Sequence, residues 1–161
     1  MTPVRILVMG VSGCGKSRFG AALATATGLV FRDADDLHPE ANIAKMARGE
    51  PLSDDDRWPW LEACGVALEP GGVLACSALR RAYRNRLRDF APDLRVIHLA
   101  ASEAEISGHL QARQGHFMPP ALLASQCATL EPPGAEEGAL ALRAFRPVGQ
   151  MVAEARNWLK L

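Results

Sequence analysis

Gly10-Val11-Ser12-Gly13-Cys14-Gly15-Lys16-Ser17 follows the apolar run Ile6-Leu7-Val8-Met9 and fits the pattern G-x-x-x-x-G-K-[ST]. A strand that delivers the chain into such a turn lets successive backbone N–H groups close around phosphate oxygens. Gly10, Gly13 and Gly15 carry no Cβ to block the approach, and Ser12 and Cys14 take part through their amides. Lys16 adds a point charge. Ser17 offers a hydroxyl suited to Mg²⁺ at the start of a helix whose positive end favours anions. Phe19, Ala22, Leu23 and Ala26 keep helical spacing after it, and Gly28 is placed to end that helix. The segment predicts a site for a nucleoside triphosphate.

A second group of acids stands where the same cleft must open. Asp33-Ala34-Asp35-Asp36 comes just after the strand-like Leu29-Val30-Phe31. In an extended segment, side chains two apart share a face, so Asp33 and Asp35 are expected to point together at the phosphates. Phosphoryl transfer needs one acid for Mg²⁺ and its waters, and one to orient the attacking hydroxyl. The end of the next strand, Cys76-Ser77-Ala78, has no acid, which leaves Asp33 for the metal and Asp35 for the hydroxyl. A solvated acidic turn is the other reading of the same residues.

His38 to Gly49 reads as a short helix with Pro39 in its first turn. His38, Asn42 and Lys45 share one stripe, and Ile43, Met46 and Ala47 another face. The polar stripe suits either a polyhydroxylated anion or solvent. Ser53 and Asp56 fit a capping box opening the next helix, which makes Asp54-Asp55-Asp56 structural, while the planar fork of Arg57 suits a carboxylate. Ser77 is expected to cap a helix with Leu79, Tyr83, Leu87 and Phe90 on one side. Arg80, Arg84 and Arg88 lie on another, facing solvent or substrate.

These residues need a scaffold with its strand ends gathered at one edge. Strand-like runs at Gly72–Cys76, Leu94–Leu99 and, more weakly, Ala139–Leu142 join the two already named, with helical patterns between them. That alternation predicts a doubly wound α/β fold with a parallel sheet and ligands at its carboxyl edge. At 161 residues the chain suits one domain, 1–161, with polar, punctuated excursions at about 36–65 and about 113–138 that suit a substrate cover and a lid. A hydrophobic share of 48% against 22% charged residues excludes extended disorder, and eighteen basic residues balancing eighteen acidic ones give no field for nucleic acid. The four cysteines lack metal-site spacing, and no apolar run is long enough for a membrane span. Free thiols and the missing leader predict a cytoplasmic protein with a small-molecule ligand.

The chain resembles the gluconokinase family of small P-loop kinases, relatives of shikimate and adenylate kinases. The resemblance rests on the phosphate loop, Asp33-Ala34-Asp35-Asp36-Leu37-His38-Pro39, Asn42-Ile43-Ala44-Lys45-Met46, Gly49-Glu50-Pro51-Leu52 and Asp54-Asp55-Asp56-Arg57 with Pro59-Trp60-Leu61. It extends through Cys76-Ser77-Ala78-Leu79-Arg80 with Tyr83-Arg84, Arg113 with Gly115-His116-Phe117, and Ser125-Gln126 with Thr129-Leu130-Glu131-Pro132. It implies a three-layer P-loop kinase fold with a five-stranded parallel sheet, a helical substrate-side insertion and a lid. The implied reaction is ATP- and Mg²⁺-dependent phosphorylation of D-gluconate at its terminal hydroxyl. Carried over by position, Lys16, Asp35 and Arg113 are catalytic, and Ser17 with Asp33 holds the metal. His38, Lys45, Arg57, Ser77, Arg84 and His116 face the substrate, while Arg113, Arg146 and Pro147 join the phosphate loop at the nucleotide. Related kinases are often dimers, so a homodimer is expected too. Cys14 in place of a common Ser makes a target for thiol reagents, and Ala34 replaces a usual Gly. The tail around Phe145-Arg146-Pro147 lacks an expected acidic segment. The alternatives are a kinase for another small hydroxy acid such as shikimate, or a protein that senses ATP without catalysis.

Overall fold

The computed structural model describes residues 2–112 and 119–161. Five strands, β1 (Arg5–Met9), β2 (Phe31–Asp33), β3 (Gly72–Ala75), β4 (Arg95–Ala100) and β5 (Ala139–Arg143), form one sheet in the order β2-β3-β1-β4-β5. Every pairing is parallel. The helices are α1 (Lys16–Thr27), α2 (Glu40–Ala47), α3 (Asp54–Leu68), α4 (Arg81–Phe90), α5 (Glu103–Ala112), α6 (Pro120–Thr129) and α7 (Val148–Leu159), with 3₁₀ turns at Ala34–Leu37 and Ala135–Glu137.

Alternation along the central strands builds both faces of the core. Ile6 and Val8 of β1 meet Phe19 and Leu23 of α1 and Met151 and Val152 of α7 on one side, whereas Leu7 and Met9 meet Leu61 and Leu68 of α3 and Leu87 of α4 on the other. Helices α3 and α4 pack so closely that a Cβ on Gly65 would collide with the ring of Phe90. A third cluster of Val11, Leu79, Ile106 and Leu123 lies beyond the strand ends, where α5 and α6 settle on the turn after β1. Chain order reverses at β1, between β3 and β4, so the crevice above its carboxyl end is the expected ligand position for this topology.

Two local expectations need correction. The second strand starts at Phe31, not Leu29, because Leu29 N–H is still taken by Ala24 O (2.9 Å) in the close of α1 and Val30 is 58% exposed. Ser77 caps no helix. Ala78 turns the chain with φ 43°, and α4 opens at Arg81 behind Arg80. Among the described residues, no helix is long and apolar enough to cross a membrane.

Candidate active site

The loop between β1 and α1 takes its shape from three glycines of positive φ: Gly10 (152°), Gly13 (89°) and Gly15 (91°). At Gly10 space is decisive as well as φ, since an added Cβ would sit 2.8 Å from Cys14 Sγ and 3.0 Å from Leu99 O. Gly10 N–H donates to Ser77 O (3.3 Å), which ties the loop to the end of β3. Lys16 Nζ donates to Val11 O (3.2 Å) and so lies folded over the loop. Ser17 Oγ donates to Asp33 Oδ2 at 2.5 Å, and Asp33 Oδ1 accepts the N–H of Asp35 at 3.0 Å.

That last bond revises how the acids are presented. Asp33 ends β2 and caps the 3₁₀ turn Ala34–Leu37, so Asp35 is not two residues along an extended segment. The turn nevertheless brings both carboxylates to a cavity of about 450 Å³ that Ser12, Lys16, Ser17, Cys76 and Ser77 also line. One hydroxyl and one carboxylate side by side suit a hard, oxygen-seeking cation such as Mg²⁺, which keeps most of its waters.

Beyond Asp35 the polar stripe of α2 faces inward, while Ile43 and Met46 stand 54% and 42% exposed. Buried Asn42 donates through Nδ2 to Asp56 O (3.0 Å) and to His38 Nδ1 (3.3 Å). An amide NH₂ only donates, so His38 Nδ1 accepts and the ring proton sits on Nε2. The His38 ring stacks on Trp60 (centroids 4.3 Å apart, planes at 11°), and Trp60 Nε1 donates to Ala34 O at 2.7 Å. Burial lowers the pKa of His38, against an opposing pull from Asp35. Lys45 is bound to Asp56 Oδ2 (2.6 Å), and the capping box of Ser53 and Asp56 forms as the residue pattern predicts. The Lys45 ammonium, with the N–H and hydroxyl of Ser53, pulls the Asp56 carboxyl down to about 2. Arg57 Nη1 donates to Asp54 Oδ1 (3.1 Å) and Tyr83 OH (3.3 Å), so its carboxylate partner here is the protein's own.

Arg84 is no substrate residue. It is fully buried, and all five of its N–H bonds are taken: by Glu137 Oε1 and Oε2 (2.9 and 3.0 Å) and by the carbonyls of Ala78, Leu79 and Glu131. Nor is Cys14 a reactive thiol, since its side chain belongs to the core and burial pushes its pKa up. Arg113 and His116 lie outside the described residues.

A second cavity, of about 240 Å³, adjoins the loop through Gly13, Gly15 and Arg18. Its far walls are Phe19, His109, Phe145, Arg146, Val148 and Met151. Phe145, turned by a left-handed backbone (φ 63°), stacks on His109 with centroids 3.7 Å apart. Arg146 is held by Glu154 (2.8 Å) and Arg143 O, whereas Pro147 sets the start of α7. Sequence reasoning missed His109 and Phe145. The rule that ligands gather beyond strand ends pointed to the segment after β5, but not to the helix from which His109 meets it.

No protein-family model matches the chain. A gluconokinase of Gluconobacter oxydans is 47% identical over 143 residues, covering 85% of this chain and 80% of that protein. The crystal structure of a gluconokinase from Sinorhizobium meliloti superposes with a TM-score of 0.90 at 46% identity, over 99% of this chain and 93% of that one. A shikimate kinase from Aquifex aeolicus, at 13% identity and a TM-score of 0.62 over 98% and 96% of the two chains, shares the fold.

Proposed function

The chain belongs to the gluconokinase family, and from that premise we propose that it transfers the terminal phosphoryl group of ATP to the terminal hydroxyl of D-gluconate, giving 6-phospho-D-gluconate and ADP. The observation that carries this reading is the common cavity in which Lys16 and Ser17 of the phosphate loop meet Asp33 and Asp35. On this reading the stacked pocket of Phe145 and His109 takes the adenine, the phosphates cross Gly13 and Gly15, and Lys16 leaves Val11 O for the anion. Ser17 Oγ and Asp33 Oδ2 would hold Mg²⁺, which when bound neutralises charge building on the phosphates.

Asp35 orients the sugar hydroxyl and takes its proton late, because a loose transition state asks more for alignment than for a strong base. His38 offers Nε2–H to the polyol, while Lys45 and Arg57 reach the acid end only by sharing themselves with Asp56 and Asp54. Ser77 lies at the wall between loop and acceptor. Arg113 and His116 keep the roles that the family likeness implies. The test is ADP release from ATP and Mg²⁺ with and without D-gluconate, and across a panel of hydroxy acids that includes shikimate. Gluconate alone is expected to stimulate; stimulation by another acid reassigns the substrate, and ATP binding without any acceptor-dependent turnover overturns catalysis.

A further inference from the structure

One amide of the phosphate loop already has a side-chain partner from far along the chain. Ser12 N–H donates to Oε1 of Gln126, 2.8 Å away and 114 positions later. Packing fixes this meeting: Leu123 of α6 is buried against Val11 and Ile106. Just past α6, Glu131 N–H donates to Leu79 O (2.8 Å), and Glu131 Oε1 accepts Arg81 N–H (2.7 Å). Gln126 is therefore seated between two anchored ends.

The two cavities say which part of a nucleotide this amide would meet. Cys14 lines only the pocket of Phe145, Ser12 and Lys16 line only the pocket of the acids, and Gly13 and Gly15 line both. A run of phosphates leading from the first pocket toward Asp35 crosses the glycines and ends at Ser12. One N–H serves one strong acceptor well, so an anion arriving there competes with Gln126 Oε1. The same carboxamide has two Nε2 hydrogens left, and its last torsion is soft enough to exchange the two ends.

Resting on the reading that the chain uses ATP, we propose that Gln126 is a positioning residue for the transferable phosphate. Its carbonyl holds the Ser12 amide in the cradle, and its Nε2 turns to the terminal phosphate oxygens when they take that amide, so that α6 distinguishes ATP from ADP. The test is equilibrium binding of a non-hydrolysable ATP analogue and of ADP, each with Mg²⁺, to the wild type, Gln126→Glu and Gln126→Ala, with melting curves for all three.

Gln126→Glu keeps an acceptor for Ser12 but has no N–H to give and sets a charge against the anion. Its affinity for the ATP analogue is expected to fall roughly 10- to 100-fold while that for ADP is unchanged. Gln126→Ala shifts the ratio of the two affinities in the same direction by less. Equal losses for both nucleotides, which a merely structural bond would give, or no loss for either, overturns the assignment. If Gln126→Glu melts early, Gln126→Ala alone decides by the same ratio. Gluconate-dependent ADP release by the wild type tests the parent reading separately: wild-type turnover with an unchanged ratio in the variants sinks only the role of Gln126.

Discussion

At the scale of single residues, Asp35 and His38 carry the acceptor side by different physics. Asp35 is held by its own backbone, whose N–H is bound to Asp33, so replacing its side chain leaves the turn intact. Asp35→Asn is expected to lower kcat by roughly 10²- to 10⁴-fold with ATP affinity unchanged, measured by steady-state kinetics and nucleotide binding. His38 acts as a neutral donor because Asn42 occupies Nδ1 with an N–H of its own, and protonation would set two donors face to face. Burial keeps its pKa below the ordinary 6.5, so this arrangement is complete above about pH 6.5 and is lost as the pH falls through the lowered value. The KM for gluconate is therefore expected to climb on the acid side in the wild type and to lose that dependence in His38→Gln. The phosphate loop and both acids were legible in the sequence because each motif is local. Gln126 was read only as part of a family motif, and its meeting with Ser12 depends on how α6 packs, which no spacing rule encodes.

At the scale of elements, the substrate-side insertion works as a brace for that turn. Helix α3 starts at a capping box, and this fixes where Trp60 falls, under the 3₁₀ turn and against His38. Trp60→Phe keeps most of the stacking surface but removes the buried indole hydrogen bond to Ala34 O. The expected cost is about 0.5–1.5 kcal/mol in stability, read from a urea midpoint, with a larger fall in kcat/KM for gluconate than in ATP affinity. The capping box was legible because its donors and acceptors lie three residues apart. The inward turn of α2 was not, because composition suggests that Ile43 and Met46 go inside, and the carbonyl of Asp56, which draws Asn42 inward instead, belongs to another helix. The same limit displaced the start of β2: apolar Leu29 and Val30 look like a strand, but the close of α1 and the register with β3 begin pairing at Phe31.

At the scale of the whole molecule, one buried ion network ties the far half of the chain to the site. Arg84 on α4 holds the carbonyls of Ala78 and Leu79, just past the Ser77 turn that meets the phosphate loop. It also holds Glu131 O after α6 and Glu137 before β5, and Arg88 adds a bond to Glu137 at 2.7 Å. The Arg84 guanidinium, and then Arg88, draw the Glu137 carboxyl from an ordinary 4.5 down to about 2 against the opposing effect of burial. A depressed carboxylate stabilises the fold fully above its unfolded value, and that contribution is lost as the pH falls from about 4.5 to about 2. Removing the charge outright leaves Arg84 buried without its counter-ion, so Glu137→Ala is expected to cost about 3–5 kcal/mol. Urea midpoints at neutral pH test that loss. Repeating the wild type and Glu137→Gln at pH 3 is expected to narrow their gap, and a gap that stays constant with pH would remove Glu137 ionisation from the account.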